Sequence, residues 1–91
     1  MRLDKFLKVS RIIKRRTVAK SIADQGRILI NGKQAKSSST VKSGDVLTIE
    51  FGNKTEKVKI NEIVETTKKA EAEKMYTIID KSFKEDFSNP F

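Results

Sequence analysis

Gly26, Gly32, Gly44 and Gly52 cut the middle of the chain into short pieces, and the apolar residues inside those pieces do not recur at helical spacing. This punctuation limits the fold more than any other feature. Arg27–Ile30 is a consecutive apolar run behind one arginine, the pattern of a short strand buried on both sides or nearly so. Asn31-Gly32 follows it at once and is the strongest hairpin signal in the chain. Ser43-Gly44-Asp45 and Gly52-Asn53 are further turns. Between them, Asp45–Phe51 alternates, with Leu47, Ile49 and Phe51 on one face and Thr48 and Glu50 on the other. Lys57–Val64 reads as another strand, Val58 and Ile60 inward, Lys57 and Lys59 outward. Lys36–Thr40 is polar and predicted as loop, anchored by Val41.

Before the first glycine the period changes. Leu3, Phe6 and Leu7 stand at i, i+3 and i+4, one apolar stripe of a short helix. Ser10–Arg16 is a charged join with Ile12 and Ile13 turned inward. Thr17 is placed to cap a second helix over residues 17–25. Val18, Ala19, Ile22 and Ala23 form its apolar face, and Gly26 ends it. A third helix is predicted over Thr67–Ile79 from Ala72, Met75, Tyr76 and Ile79, with Met75 and Tyr76 read as core. Residues 80–91 read as a flexible tail, whose Phe83, Phe87 and Phe91 recur every four residues. The order α-α-β-β-β-β-α is an α+β arrangement with its helices first.

Charge is segregated. The first twenty residues hold eight Lys or Arg and one acid, Asp4, for a formal +7. The rest of the chain carries twelve basic and eleven acidic side chains and is close to neutral. A positive face on a balanced domain points at a polyanion, and nucleic acid is the commonest. Other chemistries are disfavoured. There is no cysteine and no histidine, so disulfides, thiolate nucleophiles and the usual neutral-pH general base are absent. No catalytic carboxylate pair stands out, and neither a metal nor any other cofactor is expected. No apolar run approaches the ~20 residues of a membrane span. Lys5, Lys8 and Arg11 interrupt any signal-peptide core. A cytoplasmic, non-enzymatic, monomeric binding domain is expected.

The candidate contact residues are Arg2, Lys5, Lys8, Arg11, Lys14, Arg15, Arg16, Thr17 and Lys20. Lys14-Arg15-Arg16 precede the start of the second helix, where unpaired N–H groups and the positive dipole end favour phosphate. Arg2, Lys5 and Lys8 would widen this into a track. Blander readings stand beside these: Arg16 as a local ion pair with Asp4 or Asp24, Arg2 as a frayed end, Thr17 as a plain cap. A helix-turn-helix that reads DNA is disfavoured, because the second helix offers only Lys20, Asp24 and Gln25 as long polar side chains. Phe6 is the one aromatic residue among the first twenty and is assigned to the core, so stacking on single-stranded bases is not supported there. Recognition of shape and backbone suits folded RNA better.

The run RLDKFL, then SRIIKRRTVAKSIADQGRILINGKQAKSSSTVKSGDVLTI, resembles the αL RNA-binding domain named after ribosomal protein S-four. The RLD start, the helix ending in Gly26, the strand into Asn31-Gly32 and the Val41-Lys42-Ser43-Gly44-Asp45 segment appear in the family's order over residues 1–51. The resemblance implies two short helices packed on a small, mostly antiparallel sheet. With the C-terminal helix that the apolar spacing predicts set at 65–79, the RNA-binding domain is expected over residues 1–64. Among stand-alone members, the chain is similar to small bacterial relatives of the fifteen-kilodalton heat-shock protein, and most to their ribosome quality-control branch. That branch implies binding to rRNA of the large ribosomal subunit and to peptidyl-tRNA, in support of the partner RqcH as it adds C-terminal alanine tails. Arg2 and Arg16 match its contact positions, with the other cations as support. The heat-shock role implies instead the recycling of displaced tRNA without tailing.

Overall fold

Leu3, Phe6 and Leu7 are completely buried, and they are the stripe on which α1 (Leu3–Val9) packs. The computed structural model describes residues 1–65 and 68–83. A second helix, α2 (Arg16–Asp24), turns Ala19 and Ala23 inward. The strands are β1 (Ile28–Ile30), β2 (Lys33–Gln34), β3 (Val46–Glu50), β4 (Lys54–Ile60) and β5 (Tyr76–Phe83), with a one-turn helix α3 (Lys69–Ala72) before the last. They form one antiparallel sheet in the order β2-β1-β3-β4-β5.

Both helices cover one face of this sheet. Ile28 pairs with Ile49, and Leu47 with Val58, so the inward residues of three strands meet the α1 stripe. With Ile60 and Met75 they make one core cluster. Leu29 and Ile30 are only half-buried, so β1 is a one-sided strand rather than the doubly buried one its apolar run suggested. The β1–β2 turn has Asn31 at φ 52° and Gly32 at φ 85°, the two positive values that a two-residue hairpin of matching twist requires. Asn31 also ties the hairpin to the Lys42–Asp45 turn. Its side-chain amide donates to Asp45 Oδ1 at 3.0 Å, and its Oδ1 accepts from the Val46 N–H at 2.9 Å.

The polar segment Lys36–Thr40 clasps the chain start. The Leu3 and Asp4 N–H groups donate to the Ser39 and Ser37 carbonyls at 2.7 and 3.2 Å. Arg2 bridges Thr40, and Val41 N–H donates to the Met1 carbonyl at 2.9 Å. The first N–H groups of α1 are thereby satisfied without a side-chain cap.

Two expectations need correction. The helix expected over Thr67–Ile79 is confined to Lys69–Ala72, and Tyr76–Phe83 is strand. Ala72 and Met75 are buried as the periodicity required, but the next residues complete the open side of β4. Thr77, Ile78 and Ile79 are β-branched and suit that edge. Asp80–Phe83, expected in the tail, belong to the same strand. Residues 84–91, including Phe87 and Phe91, lie outside the described residues. Secondly, Thr17 does not cap α2. The helix begins at Arg16, the flanking Arg15 is extended, and no side chain caps the end. The Arg15 carbonyl already accepts from the Ala19 N–H at 3.0 Å, which places Thr17 inside the first turn.

In β5, Ile78 pairs with Val58 and Asp80 with Lys57, leaving Ile79 as an extra residue in a bulge. Leu47→Ala is expected to lower the unfolding free energy by about 2–5 kcal/mol, read from urea melts. Thr17→Ala, away from any cap bond, should change it by less than about 0.5 kcal/mol.

Candidate nucleic-acid interface

Asp4 is the one acid in the basic segment, and its side chain is 3% exposed. Its position one residue after Leu3 on α1 turns it toward the start of α2. Arg2 Nε lies 3.3 Å and Arg16 Nη2 3.4 Å from the same oxygen, Asp4 Oδ1. Arg2 Nη2 reaches Oδ2 at 3.4 Å, and the Lys5 N–H donates to Oδ1 at 2.8 Å. One carboxylate therefore draws a guanidinium from the front of each helix to one point. Both arginine side chains keep about half their surface, 51% and 48%. They retain donors for a second anion, since a guanidinium carries five N–H groups. Arg2 is not frayed, because its backbone is held by Thr40. The ion-pair reading of Arg16 holds for Asp4.

The remaining expected residues spread from this point. Lys8, Lys14, Arg15, Thr17 and Lys20 are exposed. Lys5 Nζ is drawn to Glu65 Oε1 at 3.0 Å, a solvent-facing pair of small energetic worth. That bond holds the Glu65 carboxyl below its usual range. Lys20 lies near Asp24, whose carboxyl is lowered mainly by hydrogen bonds from Ser37 and then by Lys20 and Lys36. The Ser37 N–H donates to Asp24 Oδ1 at 3.0 Å, joining the end of α2 to the clasp. Arg11 has φ 62°, a left-handed backbone rare outside glycine. It turns the join between the helices, and with Lys14 it lines a cavity of about 350 Å³ shared with Ser10, Ala72, Glu73 and Tyr76. The sequence reading missed this second grouping, because residues 72–76 were read as helix and Tyr76 as core. Tyr76 is half-buried, and its hydroxyl pKa is raised by burial first and then by Glu56 and Glu73. Among the described residues no group of three or more acids could hold a metal ion, and no helix is long and apolar enough to cross a membrane.

Two helices on an antiparallel sheet, with cations at the helical front, are the layout of an S4-type domain. The family model described as S4 domain matches residues 1–47. Similarity extends well beyond that segment. The RQC P-site tRNA stabilizing factor of Bacillus subtilis is 68% identical over 79 residues, which cover 87% of this chain and 92% of that protein. The protein of the same name from Listeria monocytogenes is 60% identical, with 87% and 86% covered. Among solved structures, heat shock protein 15 of Vibrio cholerae, described as trimeric, superimposes with a TM-score of 0.78 at 30% identity over 86% of this chain and 80% of that one. The chain belongs to the S4-domain family and, within it, to the family of RQC P-site tRNA stabilizing factors.

Asp4→Asn should lower stability by about 1–2 kcal/mol, less than a fully buried pair because both arginines can turn to water. Urea melts with calorimetry check this. The lowered Asp24 carboxyl favours the folded state above its ordinary value of 3.8, and this contribution fades as pH falls through the lower folded value. Asp24→Asn should therefore flatten the loss of stability below about pH 4, measured by melts across an acid pH series.

Proposed function

We propose that the chain is a non-catalytic, cytoplasmic RNA-binding factor of ribosome quality control. Its basic face grips rRNA of the large ribosomal subunit and touches the tRNA beside it. The observation that carries this reading is the meeting of Arg2 and Arg16 on one buried carboxylate. Two half-exposed guanidinium groups held at a common point can clamp backbone phosphates without conformational search. The uncapped start of α2 beside them adds N–H donors and a positive dipole end. Lys8, Lys14, Arg15 and Lys20 raise the local potential, and Thr17 stands in the same first turn as Arg16. Lys5 and Arg11 flank the clamp. Such contacts set position rather than read sequence, which suits a factor that holds a tRNA in place.

The name of the Bacillus subtilis relative, a P-site tRNA stabilizing factor, supports extending this to peptidyl-tRNA on an obstructed large subunit. The chain would steady that tRNA while RqcH cycles and adds C-terminal alanine tails. It would act as a monomer, since a formal charge of +8 opposes self-association. A second reading is favoured by the likeness to heat shock protein 15: recycling of a subunit with displaced tRNA and no tailing. Alanine tails that persist unchanged in a deletion strain would select the second reading.

Arg16→Ala should weaken co-sedimentation with large subunits by about tenfold, within the roughly 1–3 kcal/mol of a charge-assisted contact, without lowering the helical circular-dichroism signal. The dependence of binding on salt should become shallower by about 0.7–0.9 in slope for each phosphate the variant no longer neutralises. Wild-type co-sedimentation by this variant in moderate salt removes the clamp.

A further inference from the structure

The cavity between the α1–α2 join and the start of β5 combines two cations from the edge of the clamp with C-terminal groups that the clamp does not use. Ser10, Arg11 and Lys14 come from within residues 1–47, the part matched as S4 domain, while Ala72, Glu73 and Tyr76 come from outside it. The site therefore exists only where the C-terminal strand is added to the domain. Its volume of about 350 Å³ lies at the small end of ligand pockets, which begin near 300 Å³. The lining offers an aromatic ring, two cations and one carboxylate. Met75, next to Tyr76, is fully buried and fixes the turn into β5. Tyr76 itself is pinned by pairing with Ile60, so its ring is held on a strand. Arg11 keeps its left-handed backbone at φ 62° through a hydrogen bond from its N–H to the Lys8 carbonyl at 3.0 Å. Non-glycine residues in that region cost energy and cluster at binding sites.

We propose that this cavity is a nucleotide subsite, in which a guanine extruded from bound RNA lies against Tyr76, Glu73 accepts from its N–H edge, and Lys14 with Arg11 holds its phosphate. Each element has its own chemistry. An aromatic ring stacks on any base. A carboxylate accepts the paired N1–H and N2–H donors of guanine, whereas adenine presents an acceptor at N1 and would be repelled. Cations at the join take the phosphate. Glu73 would also repel a bare phosphate, which directs the charged end of the nucleotide toward Lys14. The subsite deepens the RNA-binding reading and rests on it, because it supplies the single point of base selection on a face that otherwise grips backbone.

The chain contains one tyrosine and no tryptophan, so Tyr76 ring resonances report this cavity alone. Purified full-length protein is titrated with 5′-GMP, 5′-AMP and ribose 5-phosphate in moderate salt, following those resonances by NMR. The expected result is a saturable upfield ring-current shift with GMP, a weaker response with AMP and none with ribose 5-phosphate. Lys14→Ala should weaken GMP by roughly tenfold, and Glu73→Gln should erase the preference over AMP. Both positions are exposed, so neither variant threatens the fold. An RNA hairpin with a single bulged G should then move Tyr76 at lower concentration than its flush counterpart. Arg2→Ala separates the two readings: large-subunit binding falls while the GMP shift stays. No Tyr76 shift with GMP, or an equal shift with ribose 5-phosphate, overturns the subsite. A GMP shift with no advantage for the bulged hairpin overturns the extruded-base assignment in favour of free nucleotide.

Discussion

A single carboxylate organises the front of this molecule. Asp4 is buried between the starts of two helices, and each helix delivers a guanidinium to it. Without that acid, two like charges would be held near each other by packing alone and would move apart. With it, Arg2 and Arg16 are neutralised only in part and remain half in water. The arrangement keeps a surplus of positive charge at a fixed place while limiting its cost to folding. It also fixes where α2 begins, since Arg16 enters the helix as its first residue with its side chain already committed to Asp4.

The clasp around the chain start serves the same end. Arg2 precedes α1, and its carbonyl accepts the first helical hydrogen bond, from the Phe6 N–H at 2.9 Å. Its position is set further by the Lys36–Val41 segment, through Thr40 and the carbonyls of Ser37 and Ser39. Asp24 anchors that segment to the far end of α2. The start of α1 and the end of α2 thus converge on one short stretch of polar chain. The sheet beneath supplies a rigid floor, because Ile28, Leu47, Ile49, Val58 and Ile60 are fully buried against α1.

Much of this was legible in the sequence where the signal is local. Asn31-Gly32 can form little other than a tight hairpin, Gly26 ends α2, and the alternation of Leu47 and Ile49 orients β3. The C-terminal part was not legible for a physical reason. Ala72, Met75 and Tyr76 satisfy helical spacing, yet the same residues fit a short turn leading into a strand, and only the unpaired side of β4, distant in sequence, decides between them. Thr17 failed as a cap because the start of α2 depends on a contact with Asp4, twelve residues away from Arg16. At the candidate interface, the basic composition was evident and the family resemblance already singled out Arg2 and Arg16, whereas their meeting on one buried Asp4 oxygen needs the fold. Arg11 and Lys14 belonged to the expected set, but their grouping with Glu73 and Tyr76 needs the fold.

The bulge at Ile79 has a consequence for how this chain behaves in a crowded solution. Among the described residues, β5 is the last strand of the sheet and carries two exposed isoleucines, Ile78 and Ile79. A straight, greasy border of that kind is a template on which further strands can stack into fibrils. One surplus residue throws the strand out of step and twists it locally. An incoming flat strand then loses registry after a few residues, so the border resists growth even though its side chains are sticky.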